Sequence, residues 1–242
     1  MEKLINGDCF EEINKIEDNS IDLVLTDPPF NIAIASKLTK RRNKIYSPAE
    51  AWGTEFKDNW ENFEEYRKFI NDIAKMCFQK LKKFGQMVIF LDRKYTGLFI
   101  YDFEKLGYIF NNKIYFIVKN PIPCIRKRNY RSCVSEAIWV VKGNKYFFNF
   151  VSQFEDRQVF YGNIGQKESE HPTEKAIWQI SPLIKKHSNA GDLVMDPFMG
   201  SGTVGVVSKS MDRNFTGIEL SPYFYAMAKK RIEKVKKTEK LW

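Results

Sequence analysis

The sequence predicts a doubly wound α/β fold, and three observations carry that prediction. Apolar runs of strand length alternate with stretches of helical periodicity along most of the chain. One such run, Ile21-Asp22-Leu23-Val24-Leu25, stops at Thr26-Asp27-Pro28-Pro29-Phe30. Another, Asp192-Leu193-Val194-Met195, stops at Asp196-Pro197-Phe198-Met199-Gly200-Ser201-Gly202-Thr203. Both motifs therefore fall at strand ends, where open α/β sheets bind their ligands.

The elements follow in order. Phe10, Ile13 and Ile16 mark a short amphipathic helix ahead of the strand Ile21 to Thr26, and Asp8 precedes it as a helix N-cap. Residues 31–60 show no clear period and read as a flexible substrate loop. Asn62 with Glu65 resembles a capping box, opening a helix whose apolar positions run from Phe63 to Cys77 and which Gly85 is expected to end. Gln86 to Leu91 reads as a buried strand, Leu98 to Leu106 as a helix stopped by Gly107, and Lys113 to Lys119 and Ser135 to Val141 as further strands. Between the last two, residues 120–131 form a basic, turn-rich connection with Pro121 and Pro123.

Residues 145–170 alternate aromatic and polar side chains without declaring a helix or a strand, and read as a variable excursion. Ile177, Ile180, Leu183 and Ile184 have helical spacing, with Pro182 expected to kink, restart or end that helix. Leu193 to Asp196 and Phe215 to Glu219 supply the last strands around a helix over Thr203 to Met211, and Ser221-Pro222 opens the terminal helix as N-cap and first residue.

At 242 residues and 43% hydrophobic content, one domain over 1–242 is expected. The net charge of +9 suits a polyanionic partner, although a generic lysine-rich surface produces the same number. Four cysteines without close pairing and two histidines disfavour a zinc site, so no metal is expected. The N-terminus lacks an apolar leader and no run is long enough to span a bilayer, which predicts a cytoplasmic protein with reduced thiols and no membrane partner.

Gly200 and Gly202 allow a tight strand-to-helix turn where backbone can approach a ligand without Cβ clashes. A Walker loop needs Gly-Lys-Ser/Thr, whereas Gly202 is followed by Thr203 and Val204, so a nucleotide triphosphate site is disfavoured. Glu219 ends the next strand, where an acid in Rossmann-like folds accepts hydrogen bonds from ribose hydroxyls.

Asp27-Pro28-Pro29-Phe30 resembles the amine-binding motif of the DNA amino-methyltransferases, and Asp196 to Thr203 resembles their S-adenosylmethionine motif. The catalytic motif comes first, as in the permuted β class of that family, and the resemblance covers nearly the whole chain. It implies a Rossmann-like S-adenosylmethionine-dependent methyltransferase fold with circularly permuted motif order. It further implies that Asp27, Asp196, Phe198, Gly200, Ser201, Gly202, Thr203, Glu219 and its neighbour Leu220 bind the cofactor, which leaves as S-adenosylhomocysteine. His171-Pro172-Thr173-Glu174-Lys175 is similar to the family's His-Pro-Thr-x-Lys-Pro motif, placing His171, Thr173 and Lys175 at the methionine end, with Ala176 standing where the family has proline. Asp8 and Cys9 match a segment that contacts the cofactor's adenine.

The chemistry explains the residue types. The lone pair of an exocyclic base amine is delocalised into the ring, so the site has to make it available. Asp27 can accept one amine hydrogen and the carbonyl of Pro28 the other, while Pro28 and Pro29 stiffen the backbone and remove competing donors. Phe30 offers a face on which a flipped base can stack. In the family, Asp at the first motif position tends to go with the 6-amino group of adenine, and Ser or Thr with the 4-amino group of cytosine, so Asp27 favours adenine.

The implied partner is double-stranded DNA, with single strands as the alternative, and family members also allow a homodimer and a cognate restriction endonuclease. Phosphate contacts are expected from Lys37, Lys40, Arg41, Arg42 and Lys44, and from Arg126, Lys127, Arg128 and Arg131, though each cluster reads equally as solvated charge. Segments 120–131 and 145–170 are candidate target-recognition excursions. Rival readings are cytosine methylation, RNA as substrate, and a silent nucleic-acid-binding module.

Overall fold

A computed structural model describes residues 1–31, 39–41, 44–46, 60–124, 127–164 and 174–235, with backbone alone for 39–41 and 44–46. Side chains alternate across the central strands, and that alternation builds two cores. In β2 (Ile21–Thr26), Val24 faces one helix layer while Leu23 and Leu25 face the other. In β5 (Leu81–Leu91), Met87, Ile89 and Leu91 oppose Val88 and Phe90 in the same way. Helices α1 (Cys9–Asn14), α2 (Phe63–Lys80) and α3 (Thr96–Lys105) cover the first face, through residues such as Ile13, Ile70 and Phe103. Helices α4 (Ile177–His187), α5 (Thr203–Ser210) and α6 (Pro222–Lys234) cover the second, through Leu183, Val207 and Ile232.

The remaining strands are β1 (Glu2–Asn6), β3 (Thr39–Arg41), β4 (Lys44–Tyr46), β6 (Ile109–Val118), β7 (Val134–Val141), β8 (Val159–Gly162), β9 (Leu193–Asp196) and β10 (Asn214–Glu219). The eight-stranded sheet has the order β1-β10-β9-β2-β5-β7-β6-β8, and only β7 runs antiparallel to its neighbours. From β9 the chain proceeds to β10 on one side, and from β2 to β5 on the other, so the topological switch point falls between β9 and β2. The ends of those two strands carry Asp196 and Asp27, as the Rossmann-like expectation requires.

Several boundaries differ from the sequence reading. The helix from Phe63 stops at Lys80 and not at Gly85, because Leu81 already pairs with Ile21 in the sheet; Gly85 lies inside β5, where an added Cβ would meet the Ile21 carbonyl at 3.0 Å. Pro182 neither ends nor restarts α4, which continues to His187. Within the stretch read as a flexible loop, β3 and β4 pair as an antiparallel hairpin, and Asn31 and Trp60 are joined by a 3.1 Å bond from the Trp60 N–H to Asn31 Oδ1. No helix among the described residues is long and apolar enough to cross a membrane.

The stretch 145–170 divides in two. Residues 142–158 leave β7 at the sheet edge opposite Asp27, and there Tyr146 and Phe148 pack on Trp139 at ring separations of 5.2 and 5.3 Å. Phe150 and Phe154 beyond them are exposed. From 159 the chain forms β8, which the sequence reading missed, and it emerges from β8 at the same edge as Asp27.

Candidate active site

The ends of β2 and β9 are joined directly. Thr26 donates its hydroxyl hydrogen to Asp196 Oδ1 at 2.7 Å, and the Phe198 N–H donates to the same oxygen at 3.1 Å. Asp196 is 2% exposed, and burial pushes its carboxyl up to about 7 against the pull of those two donors. A folded-state value above the ordinary 3.8 means that the folded protein holds this proton more tightly. The resulting stability is present at acid pH and is lost as pH rises through about 7. Asp196→Asn should therefore flatten the fall in unfolding free energy between about pH 4 and 7, read from urea midpoints; identical slopes would contradict the assignment.

Beyond Asp196 the chain turns through Gly200 and Gly202, whose φ values of 49° and 80° lie in the left-handed region that glycine tolerates. An added Cβ on Gly202 would stand 2.9 Å from the Ala228 Cβ on α6, so the turn also needs glycine for that close approach. Glu219 anchors the turn from β10. Its Oε2 accepts from the Gly200 N–H at 2.8 Å and its Oε1 from the Ser221 N–H at 2.9 Å. Burial raises its pKa and these backbone donors lower it. Asp8 caps α1 by accepting from the Phe10 N–H at 2.8 Å, and burial pushes the adjacent Cys9 thiol up to about 12, so Cys9 lines the site as a neutral group.

These residues border one cavity of about 480 Å³ that also takes in Asp27, Pro28, Pro29 and Phe30. Asp196, Phe198, Gly200, Ser201, Thr203, Glu219 and Leu220 line it, while Gly202 lies behind the turn, against α6. Burial raises the Asp27 pKa, and the ammonium of Lys175, 2.8 Å from Asp27 Oδ1, opposes that rise. Glu174 is tied to α6 by Arg231, whose guanidinium also donates to the Ser201 carbonyl at 2.6 Å. Ala176 is the N-cap of α4 with φ −73°, inside the range that proline imposes, and its N–H is taken by Gln179 Oε1 at 3.1 Å. The backbone at Ala176 is thus one that proline can adopt, at the loss of that one bond.

Sequence reasoning missed an aromatic wall. Trp60 and Phe69 lie 4.8 Å apart, Phe69 is 5.8 Å from Phe198, and Phe90 closes the far side from the end of β5. Only Phe198 sits in a recognisable motif; the others arrive through tertiary packing.

His171 and Thr173, and Lys37, Arg42 and Arg126 among the basic residues, lie outside the described residues. Lys40, Arg41 and Lys44 fall on the β3–β4 hairpin. Lys127, Arg128 and Arg131 are exposed in the connection after β6, with Arg131 donating to the Pro121 carbonyl. Because β6 is antiparallel to β7 and β7 to β5, that connection leaves the sheet at the same edge as Asp27. The segment after β8 is bound to it by the Ile164 N–H, which donates to Asn120 Oδ1 at 2.6 Å.

A doubly wound sheet with a glycine turn, a ribose-type acid and an Asp-Pro-Pro-Phe corner on one cavity defines a methyltransferase-type site. The model of the N6/N4 DNA methylase family matches residues 21–230. The type II methyltransferase M.HinfI of Haemophilus influenzae is 28% identical over 258 residues, covering 96% of this chain and 68% of that protein. M.HpaI of Haemophilus parainfluenzae is 28% identical over 254 residues, covering 96% and 74%. Among solved structures, an M1.HpyAVI–SAM complex superposes with a TM-score of 0.74 at 25% identity, covering 96% of this chain and 99% of the other. The PvuII cytosine-N4-specific DNA methyltransferase shares the fold, with a TM-score of 0.74 at 20% identity over 95% and 86% of the two chains. The chain belongs to the N6/N4 DNA methylase family, the S-adenosylmethionine-dependent methyltransferases of exocyclic amines in DNA.

The cavity suits that cofactor on its own terms. The Gly200 turn lets backbone approach a ligand, and the carboxyl groups of Asp27 and Glu219 line the same cavity.

Proposed function

We propose that this protein methylates the exocyclic 6-amino group of adenine in double-stranded DNA, after flipping the base out of the helix. The observation that carries this reading is the carboxylate of Asp27 at the rim of the cofactor cavity, followed by two prolines and Phe30. S-adenosylmethionine supplies an electrophilic methyl group on a positively charged sulfur. Asp27 accepts one hydrogen of the target amine and the Pro28 carbonyl accepts the other, which turns the nitrogen lone pair toward the methyl donor. Pro28 and Pro29 hold that carbonyl in a fixed direction, and Phe30 stacks on the flipped ring.

Glu219 and Asp8 bind the adenosine half of the cofactor, with Cys9 and Leu220 beside them. The backbone from Asp196 to Thr203 encloses it, and His171 and Thr173 serve the methionine end, while the Lys175 ammonium stands against Asp27 instead. The segments holding Lys37, Lys40, Arg41, Arg42 and Lys44, and Arg126, Lys127, Arg128 and Arg131, grip phosphates on either side of the flipped nucleotide. Their origin at the Asp27 edge of the sheet supports that role. A pairing of two copies and a companion endonuclease both remain compatible with this surface.

Transfer of a labelled methyl group from S-adenosylmethionine, compared on duplex DNA, single strands and RNA, tests the substrate. Labelling greatest on duplex DNA is expected, and preferential labelling of RNA would overturn the proposal.

A further inference from the structure

The side chain of Lys175 is where the reading above puts the substrate. Its ammonium stands 2.8 Å from Asp27 Oδ1, an ion-pair separation, although the angles leave that buried oxygen without a hydrogen-bond partner among the described residues. The same nitrogen lies 5.1 Å from the ring centroid of Phe30 and 4.8 Å from that of Phe90. An amine nitrogen of a flipped base, bonded to Asp27 with its ring stacked on Phe30, needs this space. We propose that Lys175 is a positioning residue that acts as a surrogate for the substrate amine, occupying the Asp27 acceptor and the Phe30 face until the target base displaces it. This inference rests on the function proposed above.

Three features support it. First, the side chains of Lys175 and Asp27 are only 17% and 24% exposed, and a carboxylate so placed is costly without a charged partner. Second, the charged and titratable groups lining the cavity among the described residues are Asp8, Cys9, Asp27, Glu174, Lys175, Asp196 and Glu219, and Lys175 is the one cation among them. No other described group in the cavity can offset the Asp27 charge. Third, the backbone beside Lys175 is fastened. Glu174 pairs with Arg231 at 2.8 Å, and Arg231 is bonded to the Ser201 carbonyl, so displacement calls for rotation of the lysine side chain alone while the chain stays in place.

The consequence is a pH signature. Burial raises the Asp27 pKa and Lys175 lowers it, so removing the ammonium lets the carboxyl hold its proton to higher pH. A protonated Asp27 keeps only a neutral carbonyl oxygen as acceptor and adds an O–H donor, so it holds and orients the amine more weakly than the carboxylate does. Lys175→Met keeps the length and the contacts with the two rings while deleting the charge, and Lys175→Arg restores a cation.

The test is a titration of the Asp27 carboxyl by carbon NMR, assigned by its loss in Asp27→Asn, in the protein without DNA or cofactor. The midpoint in Lys175→Met is expected about one pH unit or more above wild type, with Lys175→Arg close to wild type. Coincident titrations of wild type and Lys175→Met would overturn the proposal, and this readout does not depend on which base or nucleic acid is methylated. Single-turnover transfer to duplex genomic DNA at saturating S-adenosylmethionine then tests displacement. The acid limb of the Lys175→Met rate should move to higher pH, with the rate recovering to within a few fold of wild type on the alkaline plateau. A rate depressed equally at every pH would show that Lys175 acts in the transfer itself, and would overturn the surrogate role.

Discussion

Replacing Asp27 with alanine should reduce methyl transfer by roughly 10³-fold or more while leaving S-adenosylmethionine binding within a few fold of wild type. The magnitude follows from removing a preorganised polar contact made to the reacting group. Asp27 follows the end of β2, across the Thr26–Asp196 bond from the glycine turn, and takes no part in the hydrogen bonds by which Glu219 anchors that turn. Its loss removes the acceptor that orients the amine and leaves that turn intact. Single-turnover kinetics with calorimetric cofactor binding check both halves, and normal turnover in Asp27→Ala would remove Asp27 from catalysis.

Glu219→Ala should act on the other substrate. Each carboxylate oxygen of Glu219 accepts one backbone N–H, from Gly200 and from Ser221, so truncation strands two donors and releases the turn. Losing a buried hydrogen-bonded contact of this kind costs about 1–3 kcal/mol, and about 1.4 kcal/mol is tenfold in affinity, so the cofactor dissociation constant should rise by roughly 5- to 150-fold. Glu219→Gln retains one acceptor oxygen but turns an amide donor toward a backbone N–H, and should fall between wild type and alanine. An unchanged dissociation constant in Glu219→Ala would exclude Glu219 from the cofactor site.

Much of this site is legible in the sequence because its parts are local. The strand β2 and its Asp-Pro-Pro-Phe ending, the strand β9 and its glycine turn, and Glu219 at the end of β10 are each defined by a few consecutive residues whose conformational limits are strong. The caps Asp8, Asn62 and Ser221 are readable for the same reason, and all three accept the expected backbone N–H groups. What was missed depends on distant neighbours. β1 and β8 are edge strands with mixed side chains, and their pairing with β10 and β6 makes them strands. The end of α2 at Lys80 was misplaced because the sheet, through Ile21, claims Leu81 before the glycine is reached. The contacts of Lys175 with Asp27, and of Arg231 with Glu174, join residues far apart in the chain and leave no local periodicity to find.

The measurement that bears most directly on the account is nucleoside mass spectrometry after incubating the protein with S-adenosylmethionine and unmethylated genomic DNA. 2′-Deoxyadenosine carrying a methyl group on its exocyclic nitrogen is expected. Methyl groups found instead on the 4-amino group of cytosine would contradict the assignment drawn from Asp27.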